Sequence, residues 1–340
     1  MFSQKLLKTI SITLISLVTA SAQAAVTLKI ATIAPEGTTW MKEMRSGAKE
    51  IARQTEGRVK LKFYPGGVMG NDKSVMKKIR LGQLHGGALT GGSLATIYPD
   101  MQIYSLPMFL KSYEEADYLR PKIDPLLKEG MKKKGFVILG ISEGGFAYIM
   151  SDKPVRSIED LNKRKMWVPE DDYLNERLFK NMGISPIPLS IADVYTGLQT
   201  GLIDTLGSTP MAALAFQWHT RIGAVTDVPL VYLVGVLVVD QKRFKKVKAE
   251  DQKIVLDVMD RVFKDMDRLN RTDNDKALTA LKNRNIEFVV PSTAELKRWK
   301  KYANQVIEQL GDKASSEKLY LQATGILTEF RNQGTTASTQ

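Results

Sequence analysis

The chain has no cysteine and only two histidines, His85 and His219. Disulfides, thiol nucleophiles and Cys-ligated metals are thereby excluded. A chain of 340 residues can bury a large core without such cross-links. A His-based metal site or a Ser-His-Asp triad would need one of the two histidines, and neither sits in a supporting motif. Paired catalytic carboxylates, a nucleophile elbow and a cofactor fingerprint are also missing. The sequence thus implies no enzyme, no cofactor and no metal. Internal repeats do not occur. Long apolar runs are scarce: the longest, Val228 to Val239, is interrupted by Pro229 and Gly235 and suits a buried strand better than a membrane span.

Acidic residues are outnumbered, 37 against 49 basic ones, giving a formal charge of +12. A basic chain could bind nucleic acid, but the first residues argue against it. Lys5 and Lys8 precede an apolar stretch from Ile10 to Ala20, and Ala22-Gln23-Ala24 is a small-x-small cleavage site. Residues 1–25 therefore read as a secretory signal peptide cleaved near Ala24, and the mature protein is expected in the periplasm. Cleavage removes two lysines and no acid. No nucleic-acid partner is expected. The runs Lys132-Lys133-Lys134 and Lys297-Arg298-Trp299-Lys300-Lys301 read as solvated faces.

Strand and helix patterns alternate along the rest of the chain. "VTLKIATI" (26–33) and "RVKLKFYP" (58–65) alternate with period two. Between them Thr38 caps a helix bearing Trp40, Met44, Ala48 and Ile51, and Gly57 stops it. Asn71 or Asp72 starts the next helix, and "GGALTGG" (86–92) is a short strand entering a glycine-rich turn without a P-loop lysine. "FVILGISEGGFAYIMS" (136–151) reads as two strands broken by Gly144-Gly145. "SIEDLNKR" (157–164) is a capped turn, "ISPIPLS" a strand, and "IADVYTGLQTGLID" (191–204) a helix. "VPLVYLVGVLVVD" (228–240) suits the centre of a covered sheet. From Ala249 to Arg284 the pattern stays helical without Pro or Gly, which predicts a helix more than ~45 Å long. The alternation predicts an α/β fold with a mostly parallel sheet in two lobes, the long helix spanning both. "GTTASTQ" at the end reads as a disordered polar tail.

Four stretches, in order, carry a resemblance. They are "LKIATIAPEGTTW" (28–40), "FYPGGVMGNDKSVMKKIRLGQL" (63–84), "SIEDLNKRKMWVP" (157–169) and "GISPIPLSIADVYTGLQTGLID" (183–204). Together they resemble the periplasmic substrate-binding subunit of a TRAP transporter, of the C4-dicarboxylate-binding (DctP) type. The resemblance implies a two-lobe periplasmic binding protein with a cleft between its lobes. It would bind a small organic solute, close on it and deliver it to the membrane subunits of a sodium-driven permease, without catalysis and as a monomer. A ligand sensor that signals to a membrane receptor is the alternative. The expected division is 26–144 with 233–272 in one lobe and 145–232 with 273–330 in the other, followed by a polar tail, 331–340.

"KMWVPEDD" (165–172) departs from that family's pattern. Typical members carry an arginine two residues before the proline, where a guanidinium pairs bidentately with a substrate carboxylate. Here that position is Trp167. A second basic position after Gly145-Phe146 is Ala147, and the family's Glu-Asn-Pro appears as Ser208-Thr209-Pro210. A buried carboxylate without a paired donor costs several kcal/mol, so simple dicarboxylates become doubtful ligands. One class of solute would be neutral or aromatic, stacking on Trp167 with Thr209, Tyr148 and Ile191 nearby. Another would be cationic, over the indole, with Glu143, Glu170, Asp171 or Asp172 supplying negative charge. A third possibility is that Trp167 only fills the arginine's space. Glu36, in the first of the four stretches, completes the candidate site with Ala147 and these residues.

Overall fold

The computed structural model describes residues 25–170 and 172–337. The expected signal peptide, apart from Ala25, and Asp171 lie outside the described residues. No helix among the described residues is long and apolar enough to cross a membrane.

The chain opens with β1 (Val26–Thr32), α1 (Thr39–Gln54), β2 (Val59–Tyr64), α2 (Asp72–Arg80), β3 (Gly86–Thr90) and α3 (Gly91–Leu94). After a 3-10 segment come α4 (Tyr113–Lys133) and the 16-residue β4 (Phe136–Ser151). The second half holds α5 (Ile158–Leu161), β5 (Trp167–Pro169), α6 (Tyr173–Asn181), β6 (Ile187–Leu189), α7 (Val194–Thr200), β7 (Thr205–Ser208) and α8 (Pro210–Ala215). The chain returns through β8 (Ala224–Asp240) to α9 (Gln241–Phe244) and α10 (Ala249–Lys282), and ends with β9 (Glu287–Val289), α11 (Thr293–Leu310) and α12 (Glu317–Ala337). The expected caps hold: Thr38 accepts from Met41 N, Asn71 from Ser74 N and Ser157 from Asp160 N.

Among the described residues seven strands form one sheet, ordered β2-β1-β3-β8-β4-β7 with β9 beside β8. β1 is parallel to β2 and β3, but β8 is antiparallel to β3 and β4, and β4 is antiparallel to β7. The sheet is therefore mixed rather than mostly parallel. The reason is connectivity: the chain leaves the first half along β4 and returns along β8, so the two strands must run in opposite directions. β4 is one strand, not two. Its register shifts at three places, one between Glu143 and Gly145. Gly145 has φ +100°, and a Cβ there would meet Asn274 Nδ2 at 2.6 Å.

α10 has 34 residues and is thus about 51 Å long. It packs on α1, on β4 and on α8, and so bridges both halves. Its buried face is apolar from Val255 to Met266 and then turns polar at Asn270 and Asn274. Those asparagines meet the bulge of β4: Asn270 Nδ2 donates to Glu143 O at 2.7 Å, and Asn274 Nδ2 donates to Gly144 O at 2.9 Å. Asp267 accepts from Glu143 N at 2.8 Å. The backbone groups freed by the bulge are thereby satisfied from the helix.

The C-terminal segment departs from the expected division. α11 packs on α6, but α12 returns to the first half and packs on α4. Leu319, Ala323 and Leu327 share a buried cluster with Leu119, Ile123 and Leu127. Asp100 accepts from Ser316 N and from the Ser315 and Ser316 hydroxyls, which fixes the start of this helix. Nor is "GTTASTQ" all tail, because α12 continues to Ala337. The last expected helix of the second half is shorter than its pattern: 191–193 form a 3-10 turn, and α7 ends at Gly201, which has φ +68°.

Candidate functional site

A cavity of about 670 Å³ lies where the two halves meet, within the usual range for small-molecule sites. Its floor is the middle of the two long strands, Gly144 and Ala147 to Ile149 of β4 with Leu230, Val231 and Leu233 to Gly235 of β8. The first half contributes Trp40 from α1, Asn71 and Asp72 from the start of α2, and the turn Thr90 to Ser93. The second half contributes Trp167 to Glu170, Ser190 to Asp193 and Ser208, Thr209 and Met211. Trp40 reaches the floor because Gly235 has no side chain: a Cβ there would overlap the indole ring. The histidines are elsewhere, His85 bonded to Thr27 O and Lys29 N, and His219 to Ala213 O. No group of three or more His, Asp or Glu among the described residues is arranged to hold a metal ion.

Trp167 belongs to the wall and to the core at once. Its side chain is packed with Val194, Leu198, Leu206 and Ala213, and the residue is only 4% exposed. The indole N–H donates to Leu189 O at 3.0 Å, so it is not free for a ligand. Trp218 meets the ring edge-on at 5.8 Å, and Phe216 stacks on Trp218 at 5.0 Å. Ala147, Tyr148, Thr209 and Ile191 line the same cavity. The Thr209 hydroxyl caps α8 by accepting from Ala212 N at 3.2 Å. Tyr148 is half-buried and its phenol is pushed upward, first by burial and then by Asp227 and Asp275.

Two expected site residues are corrected. Glu143 is fully buried and does not line the cavity. Its carboxylate accepts from Arg271 Nε at 2.7 Å, Arg271 Nη2 at 2.9 Å and the Tyr232 hydroxyl at 2.7 Å. Burial raises its pKa, opposed by Arg271 and Tyr232. Glu143 is therefore committed to the joint, or hinge, where α10 crosses the bulge of β4 between the two halves. Glu36 is exposed at the surface, where Arg45 Nε and Nη2 bind both its oxygens at 2.8 and 2.6 Å, and it too is outside the cavity wall. Asp171 lies outside the described residues. Of its neighbours, Asp172 caps α6 by accepting from Asn175 N at 3.0 Å, and burial raises its pKa. Glu170 accepts from Asn71 Nδ2 at 2.8 Å, a hydrogen bond across the mouth of the cleft.

Several wall residues carried no signal as site residues. Trp40 followed a helical stripe, and Asn71 and Asp72 read as caps. Trp299 stood in a basic run read as solvated, yet it is buried and lines the cavity. The basic neighbours are partly engaged: Arg298 pairs with Glu159 and Glu295, and Lys300 donates to Met108 O at 2.9 Å. All four tryptophans of the chain, Trp40, Trp167, Trp218 and Trp299, are in the wall. Among the described residues that line it there is no Arg, Lys or His, whereas Asp72, Glu170, Asp172 and Asp193 are present.

Residues 30–314 match the family described as bacterial extracellular solute-binding protein, family 7 (DctP). The chain is 27% identical over 218 residues to the uncharacterized protein YiiZ of Salmonella typhimurium, covering 61% of this chain and 64% of that one. It is 28% identical over 190 residues to the sialic acid-binding periplasmic protein SiaP of Vibrio cholerae, covering 54% and 58%. The matches thus span less than two thirds of these relatives' length. A TRAP periplasmic solute binding protein from Sulfurospirillum deleyianum, with bound succinate, has the same fold at a TM-score of 0.81 and 22% identity, covering 89% of this chain and 99% of that chain. The chain therefore shares the two-lobe architecture of TRAP periplasmic binding proteins.

Proposed function

The chain belongs to family 7 of the bacterial extracellular solute-binding proteins, and on that footing we propose that it is the periplasmic solute-binding subunit of a TRAP-type secondary transporter. It captures a small organic solute in the cleft and hands it, chemically unchanged, to the membrane subunits of a permease. It is exported with loss of its signal peptide and works as a monomer. The observation that carries this reading is the 670 Å³ cavity between two halves joined by β4, β8 and α10. Two rigid bodies on such a joint can close over a ligand and release it by opening. The solute rests against Trp167, Ala147, Tyr148, Thr209 and Ile191, with Trp167 where relatives of this type use arginine.

The test joins binding to delivery. A panel of organic solutes is screened by thermal shift; a true ligand at 100 times its Kd stabilises the protein by ~2.7 kcal/mol. Small-angle scattering should then show a smaller radius of gyration in the bound form. In proteoliposomes bearing the permease subunits and a sodium gradient, uptake of that solute should require this protein. Uptake at the same rate without it would refute the assignment.

A further inference from the structure

We infer that the solute is elongated and largely apolar, carries no carboxylate, and offers hydrogen-bond donors at its polar end. This rests on the solute-binding reading above and names the class of ligand. Two features of the wall lead to it.

The first is shape. The cavity wall extends from the strand floor to α6 and α11, an arm lined by Leu174, Leu178, Phe179, Met182, Trp299 and Ala303. Apart from Asn175, whose amide is bonded to Asp172, the residues of this arm are apolar, and α6 supplies most of them. A small, hydrated dicarboxylate would leave it unfilled, whereas an alkyl chain or an extended ring system would bury its surface there.

The second is charge. The described wall residues include four carboxylates and no cation. Arg120 and Arg271, beside the hinge, are committed to Asp124, Asp267, Glu143 and Asp117. An anion entering the cavity would lose hydration without gaining an ion pair. A donor group finds the opposite situation. Asp72 and Glu170 stand on facing sides of the mouth, and Glu170 receives its hydrogen bond from a neutral donor, Asn71. An ammonium, amide or hydroxyl can meet such acceptors.

The experiment uses octylamine, octan-1-ol and octanoate on the mature protein, each below its micellar concentration. Binding is read by tryptophan fluorescence, since every tryptophan is in the wall, and by calorimetry. The amine and the alcohol should bind, and octanoate should bind roughly tenfold more weakly or worse. From butylamine to octylamine, affinity should tighten by about fourfold per methylene. Ala303→Phe should flatten that series while short amines still bind; a melting curve checks that the variant folds. If it does not fold, the wild-type series decides alone. Octanoate binding as tightly as octylamine, a flat series, or no response to any of the three probes would overturn the inference. A protein that drives uptake of a short acid keeps the transport role and loses this ligand class. One that follows the amine series but supports no uptake does the reverse.

Discussion

The hinge and the cavity share the same two strands yet treat charge in opposite ways. Where α10 crosses β4, Arg120 and Arg271 hold Asp267, Asp124, Asp117 and the fully buried Glu143 in one network, and Arg271 also lies over the Tyr113 ring at 4.6 Å. A few residues along, the described cavity wall has no basic side chain at all. The contrast shows where the cations near the cleft are used. They fix the bulge and the helix that couples the halves, and the described cavity wall is left without them. Buried charge here serves a joint, because only a complete set of partners makes burial tolerable.

The largest effect is expected in the cavity wall. Trp167→Ala removes a core indole and should destabilise by ~3–5 kcal/mol in denaturant unfolding. Trp167→Phe keeps a ring but loses the bond to Leu189 O and should cost about 1 kcal/mol in that respect. A loss below about 1 kcal/mol for the alanine variant would mean that Trp167 faces the ligand without supporting the core. In the hinge, Arg271→Ala strands Glu143 as a buried anion. Arg271 is itself 27% exposed, so the cost is discounted to roughly 2–3 kcal/mol. Adding Glu143→Gln should recover part of it; no recovery would show that the two do not act as a pair.

A smaller effect is expected far from both regions. Arg58 binds both oxygens of Asp251 at 2.9 and 3.0 Å and holds that carboxyl below its usual range. The folded pKa is thus lower than the unfolded one. This contribution is complete above the unfolded value of about 4 and is lost as pH falls through the depressed one. Asp251→Asn should cost ~1–2 kcal/mol at neutral pH and should weaken the acid-side decline of stability between about pH 4 and the depressed value. An unchanged pH profile would remove Asp251 from the account. The smallest effect is at the cleft mouth. Asn71→Asp keeps the cap acceptor of α2 but sets a carboxylate against Glu170. Stability should change by less than about 1 kcal/mol, while scattering of the ligand-free protein should shift toward an open form. An unchanged profile would mean the Asn71–Glu170 bond does not bias closure.

Much of this was legible in the chain because it depends on neighbours in sequence. Thr38, Asn71 and Ser157 announce their helices, since a cap bonds within three residues. β1, β2 and β8 show as alternating or continuous apolar runs. The uninterrupted pattern from Ala249 predicts α10 and its reach across both halves. α4 left no such trace, because Pro121 and Pro125 lie inside it and break the helical pattern. The pairing of β4 with β8, and with it the mixed sheet, depends on where the chain turns back, and no local pattern encodes that.

The site divides along the same line. The expectation that Trp167 stands in place of a family arginine, with Ala147 and Thr209 at neighbouring binding positions, comes from the resemblance of motifs alone. That Glu143 points into the hinge, and that Glu36 pairs with Arg45 at the surface, could not follow, because a carboxylate's role is set by which cation the fold brings to it. The same holds for the four tryptophans, spread from Trp40 to Trp299, which only the packing of α1, β5, α11 and the 3-10 turn after α8 gathers into one wall. Local hydrogen bonds and apolar periodicity fixed the elements, and the resemblance of four ordered stretches pointed to the family. The hinge network, the return of α12 to α4 and the largely apolar arm lined by α6 and α11 arose from contacts between residues far apart in the chain, whose energies exist only once the elements have packed.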